Sequence, residues 1–359
     1  MDEKISDSLK VLERLKAKRI GKNVPSSSPK VSVIIPAFNI SAFIADTLDS
    51  VLAQTFSDYE IIIVNDGSKD TEELEKKLEN YYDEIIYGRQ EAAGASEARN
   101  AAICLSRGDL IAFLDGDDIW LPNYLESQVK FLETNKLDMV YADAELIGDN
   151  FLRGKTYMET TPSEGEVNPI SLLNASCNVI TSGTIVKREK LIEVGLFDTE
   201  SKRAQDFDLW FRFAKNGAKI GYQKKVLLKY RVSSMSLSGS NIQRAERNIL
   251  ILNLIKSKYD FTGEEQKVWE NQMKFSEAEV ELEKGKYHLK EGNYAESINH
   301  IRTANKYYRK PKLTLLSWLL KISPFTALKL FKKLRPAEFS FITSNQAIKR
   351  KDIPENSVK

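Results

Sequence analysis

Residues 108–122 are GDLIAFLDGDDIWLP. Leu110 to Leu114 is a short apolar run without polar alternation, the pattern of a strand buried on both faces, and it runs straight into Asp115. Moving outward, VSVIIP (31–36) and EIIIVND (60–66) have the same character. Helical patterns lie between them. Ser41 to Gln54 carries Phe43, Ile44, Leu48, Val51 and Leu52 at helical spacing, and Ser96 to Leu105 is rich in alanine. Strands alternating with helices imply an α/β fold with a mostly parallel, Rossmann-like sheet flanked by helices.

In such sheets ligands sit outside the carboxyl ends of the strands. Asn39 follows the first run, Asn65-Asp66-Gly67-Ser68 the second, and Asp115-Gly116-Asp117-Asp118 the third. Several carboxylates are therefore expected on one rim.

Magnesium or manganese commonly uses one or two protein carboxylates and shares the rest of its shell with phosphates and water. Asp117 suits such a ligand, and Asp115 suits either a ligand or a ribose contact. An isolated Asp-Gly is more often only a turn. A calcium loop is a poor match, because it wants an oxygen side chain at 119 and glycine at 120, where Ile119 and Trp120 stand. Asp66 could orient a base edge or simply make a turn. Arg99 offers a planar fork for phosphate or carbonyl oxygens, against a surface ion pair with Glu97 or Glu91. Asp206 opens a helix expected over 206–216, as an N-terminal cap or as a general base.

The chain has 359 residues, 42% of them apolar and 29% charged, enough for a substantial core and an appendage. Residues 1–30 read as a helix over 1–20 and a Gly/Pro/Ser linker over 21–30. The catalytic domain is expected over 31–240, a helical region with one weak tetratricopeptide-like hairpin over 241–312, and a basic amphipathic tail over 313–359. From residue 301 to 351 there are 13 Lys/Arg against one Glu, so the tail is basic although the whole chain carries only +2. Leu313 to Leu334 sets Trp318, Leu319, Leu320, Phe325, Leu328 and Phe331 beside Lys321, Lys329, Lys332 and Lys333. Two destinations suit that pattern: a peripheral membrane contact, or packing on the catalytic domain. A charged N-terminus, no span-length apolar stretch and only Cys104 and Cys177 give the expectation of a cytoplasmic protein, peripheral at most at the inner face of the cytoplasmic membrane.

VSVIIPAFN, IIIVNDGSKD, GASEARNAA, GDLIAFLDGDDIWLP, QDFDLWFRFAKNG and YRVSSMS, in this order, resemble the successive motifs of family 2 glycosyltransferases with the GT-A fold, over residues 31–237. The resemblance implies an inverting single displacement from a UDP- or dTDP-sugar to a hydroxyl of a glycan or lipid-linked acceptor, with Mg or Mn. It implies a donor nucleotide pocket of Pro36, Ala37, Phe38, Asn39, Asp66, Arg99, Asp115 and Gly116, metal at Asp117 and Asp115, and Asp206 as the general base. This chain departs from the pattern twice. Gln205 stands where the family has Glu before the base, and Ser233 stands where many relatives carry His, which puts a third metal contact in doubt.

Dehydrogenase, P-loop ATPase, zincin and esterase signatures are absent. A nucleotidyltransferase and a non-catalytic sugar-nucleotide or protein-binding module are the rival readings. No nucleic-acid partner is expected, because aromatic and basic residues in the tail are spaced as on an amphipathic helix.

Overall fold

The computed structural model describes residues 16–18, 28–148, 153–201, 204–232 and 241–334. It forms two compact units, Met1–Ser236 with Ile251–Trp269, and Leu237–Leu250 with Glu270–Lys359.

The first unit is built on a nine-stranded sheet. Its strands are β1 (Lys16–Lys18), β2 (Val31–Ala37), β3 (Tyr59–Asp66), β4 (Ile85–Gln90), β5 (Leu110–Phe113), β6 (Ile119–Trp120), β7 (Met139–Ile147), β8 (Thr184–Lys187) and β9 (Ile220–Arg231), in the order β1-β4-β3-β2-β5-β8-β7-β9-β6. The helices around it are α1 (Ile44–Leu52), α2 (Thr71–Leu78), α3 (Ala95–Leu105), α4 (Tyr124–Thr134), α5 (Tyr157–Thr160), α6 (Pro169–Leu173), α7 (Arg188–Val194) and α8 (Gln205–Lys215). Val33, Ile34 and Ile35 are consecutive and all fully buried, as are Ile62, Ile63 and Val64. Helices cover both faces of these strands, which is why their sequences do not alternate.

β4, β3, β2 and β5 run parallel, in the α/β arrangement expected. The other half is mixed. β8 is antiparallel to both β5 and β7, β6 is antiparallel to β9, and only β7 and β9 pair in parallel. Antiparallel neighbours need no helical crossover, so a strict strand-helix rhythm in sequence does not announce them. Irregular pairing between β7 and β9 near Asp143 turns both Leu227 and Leu228 into the core.

Residues 16–18 are a strand rather than part of the expected helix, pairing Lys16 with Arg89 and Lys18 with Tyr87 on β4. An open sheet edge offers unpaired backbone groups to any extended segment, whatever its side-chain pattern. The remainder of residues 1–27 lies outside the described residues.

The helices beyond the sheet are α9 (Asn241–Lys258), α10 (Gly263–Glu291), α11 (Tyr294–Tyr308), α12 (Pro311–Ile322) and α13 (Pro324–Leu334). α10 and α11 follow one another across the short turn at Gly292-Asn293. At Gly285 the two backbones come close: the Ser297 hydroxyl donates to its carbonyl at 2.8 Å, and a Cβ there would lie 2.7 Å from Ile301 Cγ1. Leu289, Ile301, Leu320 and Ala327 form the small core of this unit. The expected tail is two helices broken at Ser323-Pro324, since proline cannot continue a helix but suits its first turn. Residues 335–359 of the tail lie outside the described residues.

Candidate active site

The parallel register sets the rim. Ala37 pairs with Asn65 and Ile34 with Phe113, so Asn39, Asp66 and Asp115 emerge side by side at the carboxyl ends of β2, β3 and β5. The Asn-Asp-Gly-Ser turn is tied to the first strand by polar bonds. Asn39 accepts from Lys69 N at 2.8 Å, and its own N–H donates to the Ser68 hydroxyl at 3.1 Å. Asn39 has a positive φ of 54°, a conformation that asparagine tolerates. Pro36 is half-buried and Ala37 buried, whereas Phe38 is exposed at the rim.

Asp66 is buried, and its carboxylate holds the turn ahead of α3. Oδ1 accepts from Gln90 Nε2 at 2.7 Å and Ala93 N at 2.8 Å, and Oδ2 accepts from Gly94 N at 2.8 Å. One lone pair remains on Oδ2. Gly94 is the residue from which α3 starts, so Asp66 also fixes the base of the helix that carries Arg99.

Arg99 is buried and donates from Nη2 to Asp115 Oδ1 at 2.6 Å. Its Cζ lies 5.4 Å from the centroid of the Phe197 ring, a cation–π arrangement, while the buried Nε has no hydrogen-bond partner among the described residues. The Asn100 side chain holds Phe197 in place: its Nδ2 donates to the Phe197 carbonyl at 2.8 Å, and its Oδ1 accepts from Phe197 N at 3.0 Å.

The acidic loop is positioned by the antiparallel pairs of the sheet's mixed half. Because β8 runs against β5, the turn Thr181–Gly183 ahead of β8 meets the residues that follow β5. Asp115 N donates to the Ser182 hydroxyl at 3.0 Å, and Trp120 Nε1 donates to the Ser182 carbonyl at 2.8 Å. Pairing of Ile119 with Lys229 likewise brings Arg231 level with Asp117. Arg231 Nε donates to the Asp117 carbonyl at 2.9 Å, its backbone N donates to Asp118 Oδ1 at 2.8 Å, and its guanidinium sits over Phe43. From the third side, the Thr47 hydroxyl lies 3.0 and 2.9 Å from the Gly116 and Asp118 carbonyls. A Cβ on Gly116 would run into the Ile40 side chain, which packs this loop against the end of β2.

Burial, and then the neighbouring Asp115 charge, push the Asp117 carboxyl up to about 6. Asp118 is fully buried, and burial beside Asp117 and Asp115 pushes its carboxyl well above the ordinary range, favouring the neutral acid. The Ser182 hydroxyl and Arg231 N, which favour the carboxylate, offset this only in part. Carboxylates crowded in this way are stabilised by a cation. Among the described residues no group of three or more His, Cys, Asp or Glu could hold a metal, so an ion here would have only Asp115 and Asp117 of the loop to draw on and would need phosphate and water for the rest of its shell. Ser233 lies outside the described residues.

Asp206 stands in the first turn of α8, but the cap position is Ala204, without a side-chain cap bond. Its Oδ1 accepts from Phe207 N at 2.9 Å, and the Thr181 hydroxyl donates to Oδ2 at 3.4 Å. One short turn, Thr181-Ser182, therefore touches both Asp115 and Asp206. Asp208 turns inward, fully buried, and pairs with Arg212 and the Tyr259 hydroxyl. The sequence reading did not select Thr181, Ser182, Asn100 or Arg231 as site residues. Two of them had a signal, Asn100 by its place in GASEARNAA and Arg231 by its place in YRVSS.

Residues 32–195 match the profile of Glycosyl transferase family 2. An uncharacterized glycosyltransferase of Rickettsia felis is 37% identical over 216 residues, which are 57% of this chain and 35% of that one, so the chain spans about a third of that curated relative. The Escherichia coli UDP-Glc:alpha-D-GlcNAc-diphosphoundecaprenol beta-1,3-glucosyltransferase WfaP is 32% identical over 231 residues, covering 64% of this chain and 87% of WfaP. The mannosyltransferase PcManGT from Pyrobaculum calidifontis, solved with GDP-Man and Mn2+, superposes with a TM-score of 0.56 at 17% identity, over 96% of this chain and 94% of that one, a likeness of fold. The matched profile, the shared length with WfaP and the sheet with its acidic rim make this chain a member of the family 2 glycosyltransferases, with a GT-A fold followed by a helical C-terminal region.

Proposed function

We propose that the chain moves a sugar, with inversion, from a UDP- or dTDP-sugar to a hydroxyl of a glycan or lipid-linked acceptor in polysaccharide or glycolipid synthesis. The observation that carries this reading is the turn Thr181-Ser182, which holds Asp115 on one side and Asp206 on the other. A carboxylate suited to taking a proton thus stands beside a pair suited to a metal diphosphate. The relative WfaP, a UDP-Glc:alpha-D-GlcNAc-diphosphoundecaprenol beta-1,3-glucosyltransferase, supports this donor and acceptor class.

In this reading the remaining lone pair of Asp66 faces an N–H of the base, with Pro36, Ala37, Phe38 and Asn39 forming the pocket wall. Arg99 fixes Asp115 against the ribose, and Gly116 lets the loop lie close to the nucleotide. Asp115 and Asp117 hold Mg or Mn, which when bound stabilises the charge of the departing diphosphate. Asp206 accepts the proton of the acceptor hydroxyl as its oxygen bonds to the anomeric carbon and the bond to the diphosphate breaks. A diphosphoundecaprenol-type acceptor keeps its tail in a bilayer. We therefore place the reaction in the cytoplasm, at the inner face of the cytoplasmic membrane.

Calorimetric titration of UDP and dTDP, with and without manganese, tests the donor site. Tight binding is expected to need both manganese and Asp117, and to be lost in Asp117→Ala; metal-independent binding would count against the reading. Asp206→Asn is expected to keep donor affinity and lose turnover by about 100-fold or more. Unchanged turnover would reduce Asp206 to a first-turn acid.

A further inference from the structure

The tail helices carry apolar residues on two opposite faces, and the structure separates them. Ser317 and Leu320 of α12 and Ala327 of α13 are buried, with Leu313, Leu316, Leu319 and Leu328 packed against the same small core. That face is satisfied. Leu315, Trp318 and Ile322 stand at i, i+3 and i+7 on the other side of α12, and they are 56, 58 and 61% exposed; Phe325, opening α13, is 75% exposed. A helix that is apolar on two faces needs a second covering surface.

We propose that this stripe lies in the interface of an anionic lipid bilayer. Its charge surroundings select that occupant. From Ser297 to Leu334 there are nine Lys/Arg and no Asp or Glu, and Lys312, Lys321 and Lys329 are exposed around the stripe. A second copy seated on the stripe would bring Lys312, Lys321 and Lys329 towards like charges, whereas anionic headgroups neutralise them. Tryptophan and phenylalanine with aliphatic neighbours and flanking lysines suit a helix lying in the plane of the interface. No helix among the described residues is long and apolar enough to cross a membrane, so the contact is peripheral. The proposal draws its purpose from the lipid-linked acceptor of the function proposed above, but vesicle binding does not depend on sugar transfer.

The test is co-sedimentation of the full chain with vesicles of phosphatidylcholine alone and of phosphatidylcholine with phosphatidylglycerol. Binding at least tenfold tighter to the anionic vesicles is expected. The triple variant Trp318→Ser/Ile322→Ser/Phe325→Ser should lose at least tenfold of that affinity with its melting temperature and UDP affinity unchanged, because these side chains face outward. Lys312→Glu/Lys321→Glu/Lys329→Glu should remove the preference for phosphatidylglycerol. Undiminished vesicle binding in the serine variant, or no binding by the wild type, would overturn the proposal. So would a wild-type dimer that the serine substitutions dissociate, which would assign the stripe to a second copy. Failure of the glycosyltransfer reading would appear separately, as absent metal-dependent UDP binding with vesicle binding intact.

Discussion

Asp117 is the residue whose chemistry is most open to measurement. Its carboxyl is pushed up to about 6, and a metal needs the ionised form, so protons compete with manganese below that pH. Apparent manganese affinity is expected to level off above about pH 6 and to fall about tenfold per pH unit well below it. A flat profile between pH 5 and 8 would remove Asp117 as a ligand. Arg231 acts in the opposite sense to burial, since its positive charge favours the carboxylate. Arg231→Ala should therefore move the midpoint of that profile to higher pH. At this scale the sequence showed which acids could bind a metal, but not that Arg231 would stand over them. Arg231 is 114 positions from Asp117, and only the β6–β9 pairing brings the two together.

Among the elements, the α10–α11 pair sets two known effects against each other at Gly285. Alanine in a helix interior is worth about 1 kcal/mol over glycine. The added Cβ would meet Ile301 at 2.7 Å, and overpacking costs about 1–3 kcal/mol. Gly285→Ala is therefore expected to lower stability by about 1 kcal/mol in urea denaturation followed by helical circular dichroism; a gain would mean that Ile301 yields. The elements themselves were largely readable. β2, β3 and β5 fall within a residue or two of the apolar runs, and α8 covers Gln205–Lys215 where 206–216 was expected. The tail was readable as amphipathic, but not which of its faces would be buried. Trp318 and Leu320 lie two positions, about 200°, apart on α12 and so point to opposite sides; the small core with Leu289, Ile301 and Ala327 takes Leu320 and leaves Trp318 exposed.

For the whole molecule, Asp118 links the site to stability. Its folded carboxyl lies well above the unfolded value of 3.8, so the folded chain holds a proton that the unfolded chain has lost. Its contribution is fully present below about pH 4, and it is lost as pH rises towards the folded value, by about 1.4 kcal/mol per unit. Asp118→Asn should remove that slope, making the variant more stable than wild type at pH 8 relative to pH 5. Parallel slopes in urea denaturation at the two pH values would show that Asp118 is ionised in the folded chain. The sequence by itself determined the parallel strands, the acids at their carboxyl ends and the basic tail, because buried apolar runs and turn residues are local signals. The tertiary structure alone shows that β8 runs antiparallel to β5 and that β9 pairs antiparallel with β6, setting Ser182 and Arg231 against the acidic loop, and that one tail face stays uncovered. Strand direction and the choice of buried face depend on contacts between segments far apart in the chain, and no local pattern encodes them.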